Sequence, residues 1–314
     1  MTQKTMSLGL AFSRSAAFIM ILFPTIATAQ QDGPRGYMLS PEGMHGLILT
    51  NYAIQANQSP DEDLVLLNSN VTTYLSVPQY AHPLKVFGNF GSLFLAQPAG
   101  YVSGRVKIGQ QTFANTSSGF GDTAFGAMVG LVGMPALPDD QYIAYKPGFS
   151  LSAVATAVAP TGEYDQINIF NLGTNRWMFR AALPMSYSLG TSFLDPSLTT
   201  FEVMPAVTFA TTNNEPFGAD KQTQDPLYQV EAHITRNLNS RLWVSADAAY
   251  FYGAKTFTNG IDDQNTRMSF NLGGTAAYNL SAATQLRLSY AHSLFSNDYG
   301  FQGQGFRLML VGGF

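Results

Sequence analysis

The side chains of this 314-residue chain that could handle protons or metal ions are few: four histidines, 20 acids, and 16 lysines and arginines. His45, His82, His233 and His292 stand far apart, and no two share a His-x-His or His-x3-His spacing, so no local metal motif is present. The lack of cysteine excludes a thiolate site, a cysteine nucleophile and a disulfide framework. The acids and arginines are better organised. Glu202, Glu231 and Asp247 share one parity in three successive alternating segments, with His233 beside Glu231. Arg180, Arg267, Arg287 and Arg307 take the same parity in their own segments. Such groups facing one another across a lumen would form a constriction that selects solutes by its field. They would serve equally well as ion pairs holding strands in register. Met178, Met204, Trp243 and Phe251 would add apolar surface to the same interior.

His292 has the opposite parity, with Leu288, Tyr290 and Leu294, and is expected to point outward. A lipid-acting surface enzyme would need a serine and an orienting group beside it, and no outward serine of matching parity stands out. Gly119-x-Gly121 lacks the third glycine and following helix of a dinucleotide fingerprint. No cofactor is therefore expected.

These residues have to be positioned by strands. The last ten residues, Gly305 to Phe314, alternate strictly: Phe306, Leu308, Leu310 and Phe314 on one face, Arg307, Met309 and Val311 on the other. Apolar residues toward lipid and mixed polar residues toward a lumen are the pattern of an outer-membrane β-barrel strand. Similar blocks cover 176–189, 200–211, 227–236, 241–252, 267–278 and 284–295. Earlier ones cover 44–55, 64–77, 84–96, 120–134 and 141–159, with residues 78–83 read as a tight connection and 97–118 as a Gly/Ser/Asn-rich loop that could hold a short strand at 101–108. The total is about twelve strands, an even number as this class prefers. Short connections at 237–240 and 279–282 alternate with long ones at 213–224 and 256–265, which puts both termini and the short turns on the periplasmic side.

Composition agrees with an all-β, antiparallel transmembrane barrel. Charged residues are 11%, against roughly 25% in soluble proteins, while hydrophobic residues reach 46% with 29 glycines. No mature segment has the ~20 apolar residues of a membrane helix. A net charge of −4 provides no footprint for nucleic acid. Lys4 and Arg14, the apolar stretch Ala16 to Phe23, and Ala27-Thr28-Ala29 have the form of a secretory signal with cleavage after Ala29. Residues 30–43 are expected to be a periplasmic lead-in and 44–314 the barrel, placed in the bacterial outer membrane among its lipids. Phe314 looks like the assembly signal that outer-membrane machinery reads.

Two segments in the middle of the chain resemble a known family. Gly119-Phe120-Gly121-Asp122 is similar to the Gly-x-Gly-Asp strand start of the MetA-pathway phenol-degradation proteins. Pro160-Thr161-Gly162-Glu163-Tyr164 followed by Asn171-Leu172-Gly173-Thr174-Asn175-Arg176-Trp177 resembles that family's Pro-Thr-Gly-x-Tyr and Asn-Leu-Gly-x-Asn-x-Trp pattern. The resemblance implies an outer-membrane barrel and passage of small hydrophobic or aromatic compounds. A general diffusion porin for polar solutes is the alternative, and a surface lipid enzyme a more distant one. Read physically, the glycines permit close backbone contacts, Asp122 and Asn175 can bond loop amides, and Trp177 suits an interfacial girdle.

Overall fold

The computed structural model describes residues 32–58, 69–108 and 110–314. The expected signal sequence lies outside them. One closed antiparallel barrel accounts for nearly all the regular structure. Its staves are β1 (Gly46–Ala56), β2 (Asn70–Val86), β3 with β4 (Asn89–Ala96, Ala99–Ile108), β5 with β6 (Gln111–Phe120, Thr123–Val132), β7 (Phe149–Ala159), and β8 with β9 (Met178–Ala182, Met185–Leu189). They continue with β10 (Thr199–Ala210), β12 (Leu227–Asn237), β13 (Leu242–Gly253), β16 (Arg267–Asn279), β17 (Thr284–Ser296) and β18 (Gly303–Gly313). Three short strands, β11 (Gln222–Gln224), β14 (Thr256–Thr258) and β15 (Ile261–Asp262), form a separate sheet in the long loops. β1 pairs with β2 on one side and β18 on the other, Gly46 facing both Ala81 and Gly313, and this closes the circle of twelve staves.

Three staves are interrupted, two of them without losing register. Pro98 separates β3 from β4, yet both continue one ladder along β2, Gln79 opposite Ala96 and Ser76 opposite Ala99. Pro184 separates β8 from β9 in the same way along β10, because proline removes one ladder donor without shifting the chain. The break between β5 and β6 falls at Gly121-Asp122 and shifts the pairing by one residue, Ala99 facing Phe120 but Ala96 facing Ala124.

Four expectations need correction. Residues 78–83 are not a connection but the middle of β2; the turn comes at Phe87-Gly88, both with positive φ (50° and 86°). The stretch 97–118 is not a loop but largely the β4–β5 hairpin, paired from Ala99↔Phe120 to Ile108↔Gln111. The block at 141–159 begins with a short helix, α1 (Asp139–Ala144), and the strand starts only at Phe149. Residues 32–41 are buried inside the barrel instead of trailing from its periplasmic end.

The outer face is the lipid belt. Leu93, Phe125, Phe179, Phe201, Tyr228, Leu288 and Phe306 are among the large apolar side chains exposed on it, each flanked in sequence by inward neighbours. In membrane these residues meet acyl chains, so their exposure costs nothing.

Candidate functional site: the barrel interior

The inner wall has two unlike halves. From β10 round to β18 it carries most of the charged and polar side chains. Glu202 stands directly across from His233 in the β10–β12 ladder, and His233 across from Asp247 in the β12–β13 ladder. His233 Nδ1 lies 2.9 Å from Asp247 Oδ1 and its Nε2 3.3 Å from Glu231 Oε2, so both ring nitrogens are engaged by carboxylates. Asp247 Oδ2 also accepts from Thr275 Oγ1 at 2.8 Å. Glu231, His233, Asp247 and Thr275 are buried, as are Arg267, Arg287 and Arg307, while Glu202 is half-buried. The wall from β1 to β8 is largely apolar, interrupted by Thr73, Gln79, Ser92, Thr156 and Arg180. Leu75, Val77, Val102, Val106, Val158 and Met178 belong to one buried cluster toward the long-loop end. Phe90, Phe94, Met128, Val154 and Ala182 continue it toward the short-turn end, where Met204 joins from β10. A further buried group holds Phe251 with Leu227 and Ala249.

The amino-terminal segment threads between these halves and uses both. Asp32 Oδ2 receives Arg180 Nη1 at 2.9 Å and the Tyr37 hydroxyl at 2.6 Å. Its backbone N–H donates to Glu231 Oε1 at 3.0 Å, and its carbonyl accepts from Arg307 Nη1 at 3.1 Å. Arg180 is on β8 and Arg307 on β18, so this one residue is gripped from well-separated parts of the barrel wall. The Pro34 carbonyl accepts from Arg287 Nη1 at 3.0 Å. Arg35 donates from Nε to Thr235 Oγ1 (2.9 Å), from Nη1 to Asn237 Oδ1 (2.8 Å) and from its backbone N–H to Glu202 Oε2 (2.8 Å). Its guanidinium also lies 4.7 Å from the Trp243 ring centroid, with that of Arg287 at 5.2 Å. Gly33 has φ of 95°, and a Cβ there would overlap the Arg307 guanidinium, which is why the position takes glycine. Tyr37, Met38 and Leu39 turn to the apolar wall and pack with Phe90, Phe94 and Met128. Buried charges are tolerable only when paired and hydrogen-bonded, and the segment supplies those partners.

A second inward element comes from the connection between β7 and β8. Asp122, buried at the break between β5 and β6, accepts from the Gly162 N–H (2.8 Å), the Thr174 N–H (2.8 Å) and the Thr174 hydroxyl (2.6 Å). Gly162 packs against the Gly121-Asp122 backbone, and Gly173 against the Gly162 carbonyl; a Cβ at either glycine would collide with main chain. Gly119 has φ of 142° and sits against Glu163. Thr161 Oγ1 accepts from the Thr123 N–H at 3.0 Å. The Asn171 side chain receives the Asp165 N–H and bonds the carbonyls of Asp165 and Asn168. Asn175, with φ of 52°, reaches Asn213 Oδ1 at 2.9 Å, and Asn213 Nδ2 reaches the Tyr164 hydroxyl at 3.0 Å. Pinned this way, the loop lowers Ile169, Phe170 and Leu172 onto the apolar wall. Trp177 faces outward and stacks on Phe179, 6.0 Å between centroids.

Residues 54–310 match the family described as "Putative MetA-pathway of phenol degradation". The chain belongs to this family. No curated protein matches it. The fold is shared with the COG4313 outer membrane channel of Pseudomonas putida F1, at 17% identity and a TM-score of 0.72 over 90% of this chain and 99% of that one. The β domain of the Bordetella autotransporter BrkA is a looser match, 12% identical with a TM-score of 0.47 over 86% of this chain and 99% of that one. With its closed barrel and apolar belt, this phenol-degradation family member has the architecture of the bacterial outer membrane.

The family's sequence pattern thus has a mechanical meaning here: its glycines, Asp122 and Asn171 build the knot that holds one loop inside the barrel mouth. Of the residues singled out by parity, Glu231, His233 and Asp247 form one contiguous network, Glu202 holds the Arg35 N–H, and Arg180 and Arg307 meet at Asp32. Arg267 lies buried near the long-loop end of β16, away from that meeting point. Sequence reasoning missed Asp32, Arg35 and Tyr37. Their signal was present: two charges and a Tyr-Met-Leu run in a supposed linker are more than a solvated lead-in needs. It also missed Arg176, buried in the same loop knot with Nη2 2.7 Å from Gln224 Oε1.

Proposed function

We propose that the protein is an outer-membrane channel admitting small hydrophobic or aromatic compounds by passive diffusion through the barrel. The observation that carries this reading is the largely apolar inner wall from β1 to β8. A water-filled porin presents polar residues to its lumen, whereas here Val102, Leu75, Val158, Phe94 and Met128 mark a greasy track along much of one side. The family description and the shared fold with the Pseudomonas putida outer membrane channel support the same reading. Solutes would move along this track when the amino-terminal segment and the knotted loop shift aside. His292, the histidine considered for a lipid-acting site, has no serine across from it in either ladder. His233 is held by two carboxylates, and His292 lies on the outer face across from Leu272 and Gln304. Proteoliposomes containing the barrel should take up a small labelled aromatic faster than a sugar of similar mass. Equal rates for the two would refute the substrate class and favour a general porin.

A further inference from the structure

His45 and His82 are 37 residues apart in sequence, yet the β1–β2 register that sets Gly46 opposite Ala81 sets them side by side. Both project from the outer wall at the short-turn end, with the exposed Tyr80 between them. His45 Nδ1 lies 2.7 Å from the Tyr80 hydroxyl and 3.3 Å from His82 Nδ1; the Tyr80 hydroxyl is 3.5 Å from His82 Nδ1. Three heteroatoms converge on one point. Each imidazole nitrogen offers a single lone pair or a single proton, so no choice of tautomers turns all three contacts into good hydrogen bonds. A cation resolves the conflict, because it accepts all three lone pairs at once.

We propose that this cluster is a site for a divalent transition-metal ion of the zinc, copper or nickel class, ligated by His45 Nδ1, His82 Nδ1 and Tyr80 Oη, with water completing the shell. Nitrogen ligands about 2.0–2.1 Å from a tetrahedral ion stand about 3.3 Å from each other, and the two Nδ1 atoms are 3.3 Å apart. An ion about 2.1 Å from all three donors would sit about 1 Å outside their plane, on the solvent side of a facial tripod. Imidazole donors favour these metals over calcium or magnesium. Binding shifts each imidazole proton to Nε2 and releases the phenol proton to solvent.

The site has a structural consequence. The His45 main chain exchanges both hydrogen bonds with Phe314, at 3.0 and 3.1 Å, and its ring stacks on the Phe314 ring at 5.6 Å. A bound ion would therefore tie β1 to β2 beside the point where β1 meets the end of β18.

The test uses the whole, tag-free barrel in detergent, stripped with chelator. Zinc is titrated by calorimetry, and copper by electron paramagnetic resonance. One ion per chain is expected, with copper hyperfine structure from two nitrogens. His82→Asn and His45→Ala should each weaken zinc at least about tenfold, Tyr80→Phe should weaken it less, and His292→Ala should leave it unchanged. Heat-modifiable electrophoretic mobility establishes that each variant is a folded barrel. Metal binding by the His45/His82 double variant equal to that of the wild type would overturn the proposal, as would no binding by the wild type.

Discussion

Asp32→Ala is the sharpest test of how the interior is held. The substitution removes the carboxylate that meets Arg180 at 2.9 Å and the Tyr37 hydroxyl at 2.6 Å. Breaking a buried ion pair from one side costs about 3–5 kcal/mol. The lower end applies, since Arg180 still has Glu231 at 4.0 Å and Gln229 Oε1 at 3.5 Å to turn to. A loss of about 3 kcal/mol moves the balance between seated and displaced segments by about 140-fold, at 1.4 kcal/mol per decade. The assay is planar-bilayer recording, in which the fraction of time spent conducting should rise by about two decades. Tyr37→Phe removes one hydrogen bond donated to that carboxylate and should move the same quantity at least about tenfold, for about 1.5 kcal/mol or more. A conducting fraction within threefold of wild type in a folded Asp32→Ala barrel would refute the view that this segment closes the lumen.

Gly33→Ala should raise conductance in the same direction without altering charge, because its Cβ would displace the Arg307 guanidinium and its φ of 95° suits glycine. Asp122→Ala strips three hydrogen bonds from the loop knot, each onto a carboxylate and worth about 1.5–3 kcal/mol; trypsin should then cut after Arg176 while the barrel stays folded. Leu75→Asn puts an amide on the apolar track, and should slow aromatic uptake into proteoliposomes at least severalfold with sugar uptake unchanged. Asp195, in the short connection before β10, is held below the usual carboxylate range by N–H groups of Thr191 and Ser197 and by their hydroxyls. A depressed folded pKa stabilises fully above the unfolded value of about 4 and loses that contribution as pH falls through the folded value. The melting-temperature advantage of wild type over Asp195→Asn should therefore hold constant from pH 6 to 8 and shrink below about pH 4.

The barrel was most legible where lipid writes the sequence. From β10 to β18 the outer face must be apolar and the inner face can be polar, so parity alone separates Phe201, Val230 and Leu288 from Glu202, Glu231 and Arg287. It was least legible where that contrast fails. In the β4–β5 hairpin most outward positions, Ser103, Arg105, Thr112 and Thr116 among them, are polar, while Val102, Val106 and Phe113 mark the inner face. Such strands look like a polar loop. In β2 the two prolines at 78 and 83 imitate a turn, yet each costs the ladder only one donor. The interior was half legible: strand parity identified the charges facing inward, but nothing in a 3.3 Å-per-residue pattern could reveal that Asp32, some 148 residues from Arg180 and 275 from Arg307, sits among them. The His45–His82 pair escaped for a similar reason, since their proximity depends on register and not on spacing.

The polar anchors of the amino-terminal segment have a consequence for how the chain is made. Arg180, Glu202, Glu231, Thr235, Asn237, Arg287 and Arg307 all lie on β8 or later, and none on β1 to β7. Contacts so distant in sequence form late, after the entropy of closing the intervening chain has been overcome. The first residues made must wait for the last strand before they have anywhere to go. Seating of Asp32 is thus a record that synthesis, pairing and closure are finished, and a barrel interrupted before β18 would remain open in the middle.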